Sequence, residues 1–470
     1  MKVRISTLFL DLALIGIAIF VGADFYFTIG FMLWMNIVIY AIRDAGRRSM
    51  LLAFMIAFFT FLMGRDFVQQ FFSYQVEDFA PAVNRHLYLC IILSLLAIFG
   101  SYYFLERMQR TRSLSADQNQ DTAEKTEMVD PALKTVSKYL FYFSWIFAVM
   151  SKVIVVRYVS ANGYTDYYTD YSEYLTGNTV LYLISKLETI MPVALSIFSA
   201  SMPSKKEYTL PMLMYVLYMV LSLATGQRSV FILGLLFLMV YFLYRNKTNP
   251  EERWITRRMV TLAIFAIPVL AALMSLLSVV RMGGGTHSAS FFASVMNFIY
   301  DQGVTGKVVK RAYMYENRIP KQIYSLEFLH SGILARLLGI PVYHGNTIKH
   351  AQHGGSMSHA LGYVILGSSY LAGRGTGSSY IAELYYDMGY LGVVLGNLVY
   401  GCIIAAINRP VTKNNVFGMS IRYYIITQIL WAPRASLTGF LSNLLAPVTI
   451  ASFLFVFGFA NILKWRNRGV

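Results

Sequence analysis

Three arginines stand where a largely apolar chain has little reason to keep a charge. Arg228 lies in "GQRS" between two long apolar runs, Arg281 follows another run in "VVRMGGG", and Arg374 sits between glycines in "AGRGTGSSYIAELYYDMGYLG". A guanidinium fork can grip two phosphate oxygens, so these positions suit a diphosphate held at a membrane surface. An arginine at that depth also snorkels to lipid headgroups, and at Arg228 both readings stay open. The glycines leave Arg374 approachable, but "GRGTG" lacks the Lys-Ser or Lys-Thr of a nucleotide loop, and no strand precedes it. Ser378 and Ser379 are placed to start a helix, whose free N–H groups favour an anion. Glu383 then falls one turn beyond Ser379. There it orients an arginine, takes a proton from an attacking hydroxyl, or only neutralises one arginine, and the readings stay open.

A second group is aromatic and imidazole. In "HGNTIKHAQHGGSMSHA", His344, His350, His353 and His359 lie close in sequence, but the spacing is not HExxH and no cysteine accompanies them. No metal site is expected; His353 is read as a sugar-hydroxyl partner and His359 as a candidate base. The stretch "SANGYTDYYTDYSEYLTGN" carries Tyr167 and Tyr168 among acids without a basic residue. It reads as an aromatic interface belt or as a glycan surface, to which Tyr380 and Tyr385 would add.

These residues need a membrane scaffold to hold them. Of 470 residues, 56% are hydrophobic and 14% charged, which excludes a single soluble core and implies a polytopic membrane protein. The apolar runs are long enough for helices rather than barrel strands. The expected fold class is therefore an all-α polytopic membrane protein of about 12 transmembrane helices with one large outer loop containing interfacial helices. Expected spans are 5–23, 26–43, 49–64, 86–105, 138–158, 177–199, 208–225, 229–244, 259–280, 388–408, 417–433 and 441–463. They divide the chain into a four-span unit (1–106), a polar linker (107–137), a five-span unit (138–280), the large loop (281–387) and a three-span unit (388–470).

With both termini cytoplasmic, the inner segments carry 23 of the 40 Lys and Arg residues, as the positive-inside rule requires. The net charge of +16 then reflects attraction to anionic lipid heads, and no nucleic-acid partner is implied. The first apolar run lacks a cleavage site and is read as a retained span. Cys90 and Cys402 lie in separate apolar runs, so no disulfide framework is expected. The 281–387 loop holds six of the seven histidines, which makes it the place to seek function.

With "GQRS" at the end of a span, one large late loop and "SMSHALGYVILGSSYLAGRGTGSSYIAELYYDMGYLGV", the chain resembles the bacterial O-antigen or capsule repeat-unit polymerases of the Wzy-dependent pathway. The resemblance implies a glycosyltransferase of the bacterial plasma membrane. It would move a growing glycan from polyprenyl diphosphate to a new lipid-linked repeat unit on the outer face. The sugar-phosphate bond is already activated, so neither nucleotide, metal nor other cofactor is called for. Arg228, Arg281 and Arg374, with Ser378 and Ser379, would hold the diphosphate, and Glu383 or His359 would act as base or orienting group. Polyprenyl-linked oligosaccharides and membrane lipids are the implied partners, together with a chain-length regulator and a flippase. A glycan ligase would share the donor chemistry. A flippase or other transporter would concentrate charge inside its spans, where Lys152, Lys186 and Glu188 fall.

Overall fold

In lipid a backbone must satisfy its own hydrogen bonds, and this chain does so with helices. The computed structural model describes residues 5–468 except 75–76, 118–129, 164–165, 226–227, 263, 267, 271–289 and 410–414. Among the described residues there is no strand. The helices used below are α1 (Ile5–Val21), α2 (Phe25–Ile42), α3 (Ser49–Phe72), α4 (Pro81–Asp117), α5 (Pro131–Asn162), α6 (Thr179–Ala200), α7 (Lys205–Ala224) and α8 (Arg228–Thr248). After them come α9 (Phe291–Gln302), α10 (Thr305–Met314), α11 (Ile348–His353), α12 (Met357–Leu366), α13 (Tyr380–Ile407), α14 (Val416–Trp431), α15 (Gly439–Leu444) and α16 (Pro447–Arg468).

Nine of these, α2 to α8, α13 and α16, are long and apolar enough to cross a membrane. The expected count of about twelve is therefore not reached among the described residues. Helices α1 and α14, of 17 and 16 residues, are apolar but short. They reach about 24–26 Å against a hydrocarbon core of about 30 Å. Most of the expected 259–280 span lies outside the described residues, as does Arg281.

Helix boundaries also differ from the hydropathy reading. Helix α3 continues past 64 through a π turn at Phe59–Met63. Helices α4 and α5 take up both ends of the expected 107–137 linker. The start of α5 is fixed by Pro131 in its first turn and by the Asp130 carboxylate, which accepts from the Ala132 amide at 3.1 Å and pairs with Lys464 at 2.6 Å. Polar composition thus marks the linker's middle better than its edges.

Basic contacts gather at one end of the bundle. There Arg48 meets Glu106 at 3.0 Å, Lys134 meets Glu207 at 2.7 Å, and the buried Arg245 donates to the Pro203 carbonyl at 2.7 Å. The segment 290–379 sits at the other end, folded into short helices that pack on the spans rather than hanging as a loop. Glycines permit that seat. A Cβ on Gly303 would collide with the Arg65 backbone, and one on Gly306 would lie 2.8 Å from the Leu62 carbonyl oxygen. Beneath it, Asp66 of α3 and Lys310 of α10 form a buried ion pair at 2.6 Å, and the Tyr88 hydroxyl donates to the same Asp66 oxygen at 2.9 Å.

Candidate functional site

Two cavities open at the end of the bundle covered by 290–379, of about 390 Å³ and about 900 Å³. They are neighbouring lobes of one hollow, since Pro192, Tyr218, Val230, Thr427, Gln428 and Asn443 line both. The smaller lobe is bounded by Ser229 of α8 and by Ala435 and Ser436 of the turn after α14. The larger adds Lys186, Glu188 and Arg336. A hollow of this size, apolar with a few convergent polar groups, fits a ligand site.

Next in the chain to the wall of the smaller lobe, arginines gather on the end of α9. Arg228, the first residue of α8, faces Asp301 at 3.9 Å, with its side chain 13% exposed. Arg434 donates to the Gln302 side-chain oxygen at 3.0 Å, and Arg65 donates to the Tyr300 carbonyl at 3.1 Å while lying over its ring. Three cations from three different helices or turns thus hold three consecutive residues at a helix C-terminus, where the helix dipole favours positive charge. Arg228 and Arg434 stand beside Ser229 and Ala435, which form the cavity wall. The sequence reading singled out Arg228 but not Arg434, whose only signal is an arginine just after an apolar run.

Arg374 is placed elsewhere. It is exposed on the loop after α12, with its carbonyl accepting from Asn346 at 3.1 Å, and no carboxylate pairs with it among the described residues. Glu383 is fully buried in the first turn of α13, and both its oxygens are engaged. The Ser378 hydroxyl donates to one at 2.7 Å and the Leu437 amide to the other at 2.8 Å. It thereby ties α13 to the turn that walls the smaller lobe. Ser378 is spent on this contact, whereas the Ser379 hydroxyl is buried without a hydrogen-bond partner among the described residues.

The geometry of Glu383 separates anchoring from proton transfer. Glutamine reproduces both contacts, its oxygen taking the Leu437 N–H and its amide donating to Ser378. Glu383→Gln is expected to stay within about 1 kcal/mol of the wild type in thermal unfolding and to retain turnover. Glu383→Leu strands both partners and is expected to cost about 2–4 kcal/mol. Loss of turnover in a stable Gln variant would instead assign Glu383 a proton in the reaction.

The histidines form a separate cluster. His350 and His359 stack at 3.6 Å; Nδ1 of His359 lies 2.8 Å from the Tyr370 hydroxyl, and His350 Nδ1 donates to the Gly345 carbonyl at 2.8 Å. Gly355, at φ 65°, packs its backbone against the His330 ring, a conformation and closeness that suit glycine. Burial, and then the charge of His350, lower the His359 pKa to about 4. No group of three His, Cys, Asp or Glu side chains is arranged to hold a metal among the described residues. Because His359 is neutral when folded but titrates near 6.5 when unfolded, the unfolded state binds more protons below that pH. Stability of the 344–372 region is expected to fall between pH 6.5 and about 4 by on the order of 2 kcal/mol, read as lost hydrogen-exchange protection. His359→Phe should flatten that dependence.

The expected glycan-facing residues divide. Tyr380 is a core residue: it is fully buried, donates to Asn397 at 2.7 Å and stacks on Tyr400 at 4.9 Å, so its ring is not presented to a ligand. Tyr385 packs on His86 at 4.2 Å, Tyr167 packs on Tyr171 at 4.9 Å, and His353 is exposed. The Tyr168 side chain lies outside the described residues.

An all-helical fold with nine candidate spans among the described residues, and with a hollow at one end, is that of a polytopic membrane protein. The family model for O-antigen polysaccharide polymerase Wzy matches residues 1–467, nearly the whole chain, and the chain belongs to that family. It is a multi-pass membrane polymerase of the glycosyltransferase kind, acting on lipid-linked oligosaccharide repeat units. Comparison with curated proteins and with solved structures finds no match.

Proposed function

We propose that the chain moves a growing glycan from polyprenyl diphosphate onto a new polyprenyl-diphosphate-linked repeat unit, at the outer face of the bacterial plasma membrane. The product is O-antigen or a capsular or extracellular polysaccharide. The observation that carries this reading is the two-lobed hollow, with Lys186 and Arg336 lining the larger lobe, and with Arg228 and Arg434 each next in the chain to a residue that lines the smaller. Cations beside an apolar hollow suit a diphosphate attached to a lipid, and they stabilise it as it leaves. Arg228 is assigned to the diphosphate. Arg374, on its exposed glycine loop, is assigned to the approaching substrate, and Arg281 keeps the diphosphate role its position implies. The outer orientation is supported by the concentration of Lys and Arg at the opposite end.

Deletion of the gene, followed by analysis of lipid-linked glycans, tests the reading. Single repeat units accumulating on lipid at the outer face support it. Long polymer left unattached would indicate a ligase, and units trapped inside would indicate a flippase.

A further inference from the structure

The proposed transfer needs a group to receive the proton of the attacking sugar hydroxyl, and the carboxylates at this end of the bundle are mostly committed elsewhere. Both oxygens of Glu383 are bonded, and Asp387 accepts from the Tyr324 and Ser325 amides at 3.0 and 2.8 Å. Asp66 is locked to Lys310. Glu77 is held by Lys307 and Arg311, whose charges outweigh burial and keep its carboxyl below the usual range.

Glu188 differs. It lines the larger lobe, just before the break in α6 at Thr189. Lys152 of α5 lies 2.8 Å from its Oε1, and the Tyr218 hydroxyl donates to that same oxygen at 3.0 Å. No hydrogen bond to its other oxygen, Oε2, is present among the described residues. An ammonium and a phenol therefore fix the carboxylate by one oxygen and leave the second for a ligand. Among the residues lining the two lobes it is the carboxylate. Tyr218 lines the smaller lobe as well, so this group and the wall that carries Ser229 belong to one continuous space.

We infer that Glu188 is the catalytic base, a role that rests on the transfer proposed above. The acceptor hydroxyl oxygen forms a bond to the anomeric carbon of the donor sugar. The bond from that carbon to the diphosphate oxygen breaks, and its electron pair leaves with the diphosphate. The hydroxyl proton passes to Glu188 Oε2, and no oxidant or reductant is involved. Lys152 and Tyr218 act as positioning residues, since they reach the reaction only through Glu188.

The test uses the full-length protein in lipid nanodiscs and, as substrate, polyprenyl-diphosphate-linked repeat units extracted from cells lacking the gene. Glu188→Gln keeps the shape and the contact with Tyr218 but cannot take the proton. It is expected to bind substrate with unchanged KM and to lose roughly a hundredfold to ten-thousandfold in kcat. A purely structural ion pair would behave otherwise, because the double variant Lys152→Gln with Glu188→Gln leaves no unpaired charge and would recover activity. The double variant is expected to stay inactive, and it carries the test if the single variant does not insert. Turnover within threefold of wild type in either inserted variant overturns the assignment. Wild-type protein that makes no polymer from these lipids would instead sink the parent reading.

Discussion

Lys310→Met is expected to cost about 3–5 kcal/mol of stability, more than any other single change considered for this protein. Among the described residues, the substitution leaves the Asp66 carboxylate, 3% exposed, with only the Tyr88 hydroxyl. An ion pair this deep adds little over an apolar pair, but breaking it strands a charge. The matching double variant, Asp66→Leu with Lys310→Met, should therefore recover most of the loss. Thermal unfolding in nanodiscs measures both. The single variant should also lift the 290–379 segment from α3, seen as hydrogen exchange rising through α9 and α10. A single variant within 1 kcal/mol of wild type would mean that the glycine-packed contact holds the segment alone.

Arg228→Lys is expected to insert normally and to lose transfer tenfold to a thousandfold, equivalent to about 1.4–4 kcal/mol of transition-state stabilisation. Lysine retains the charge and can still reach Asp301, now 3.9 Å from the guanidinium, but it has no planar fork for two phosphate oxygens. The substitution thus separates grip from charge. A membrane-anchoring arginine would tolerate the change, so near-normal polymer from a well-inserted variant would move the diphosphate toward Lys186 and Arg336. Asp301→Asn serves as the control for the contact with α9.

Hydropathy made most spans legible because each is a local property of about twenty residues. The position of Arg228 at the start of α8 was legible for the same reason, as a charge with almost no loop around it. What stayed hidden were pairings between distant residues. Lys310 reads as one basic residue in "TGKVVKRAYM", and nothing nearby says that Asp66 will meet it. Arg434 and Gln302 are likewise joined across 132 positions. Glu188 was visible as a charge within a span and suggested transport. Only the fold shows that Lys152 and Tyr218 hold one of its oxygens and that a cavity adjoins it. Glu383 shows the same limit: its place one turn into a helix beside serines is local, but the Leu437 amide that takes its second oxygen comes from 54 residues away. The tyrosines carry the least information in sequence, since Tyr380 in the core and Tyr385 at its edge share one motif.

The buried pair also sets a schedule for biogenesis. Asp66 and Lys310 are 244 positions apart, so at ribosomal rates of about 5–20 residues per second the carboxylate precedes its cation by about 12–50 s. Throughout that interval the end of α3 enters the membrane as an acidic helix without its counter-charge, which lipid disfavours. A nascent chain that stalls before residue 305 therefore keeps a label that a finished one has lost. The contact that seats the segment over the hollow is thus also the one that cannot form until Lys310 has been made.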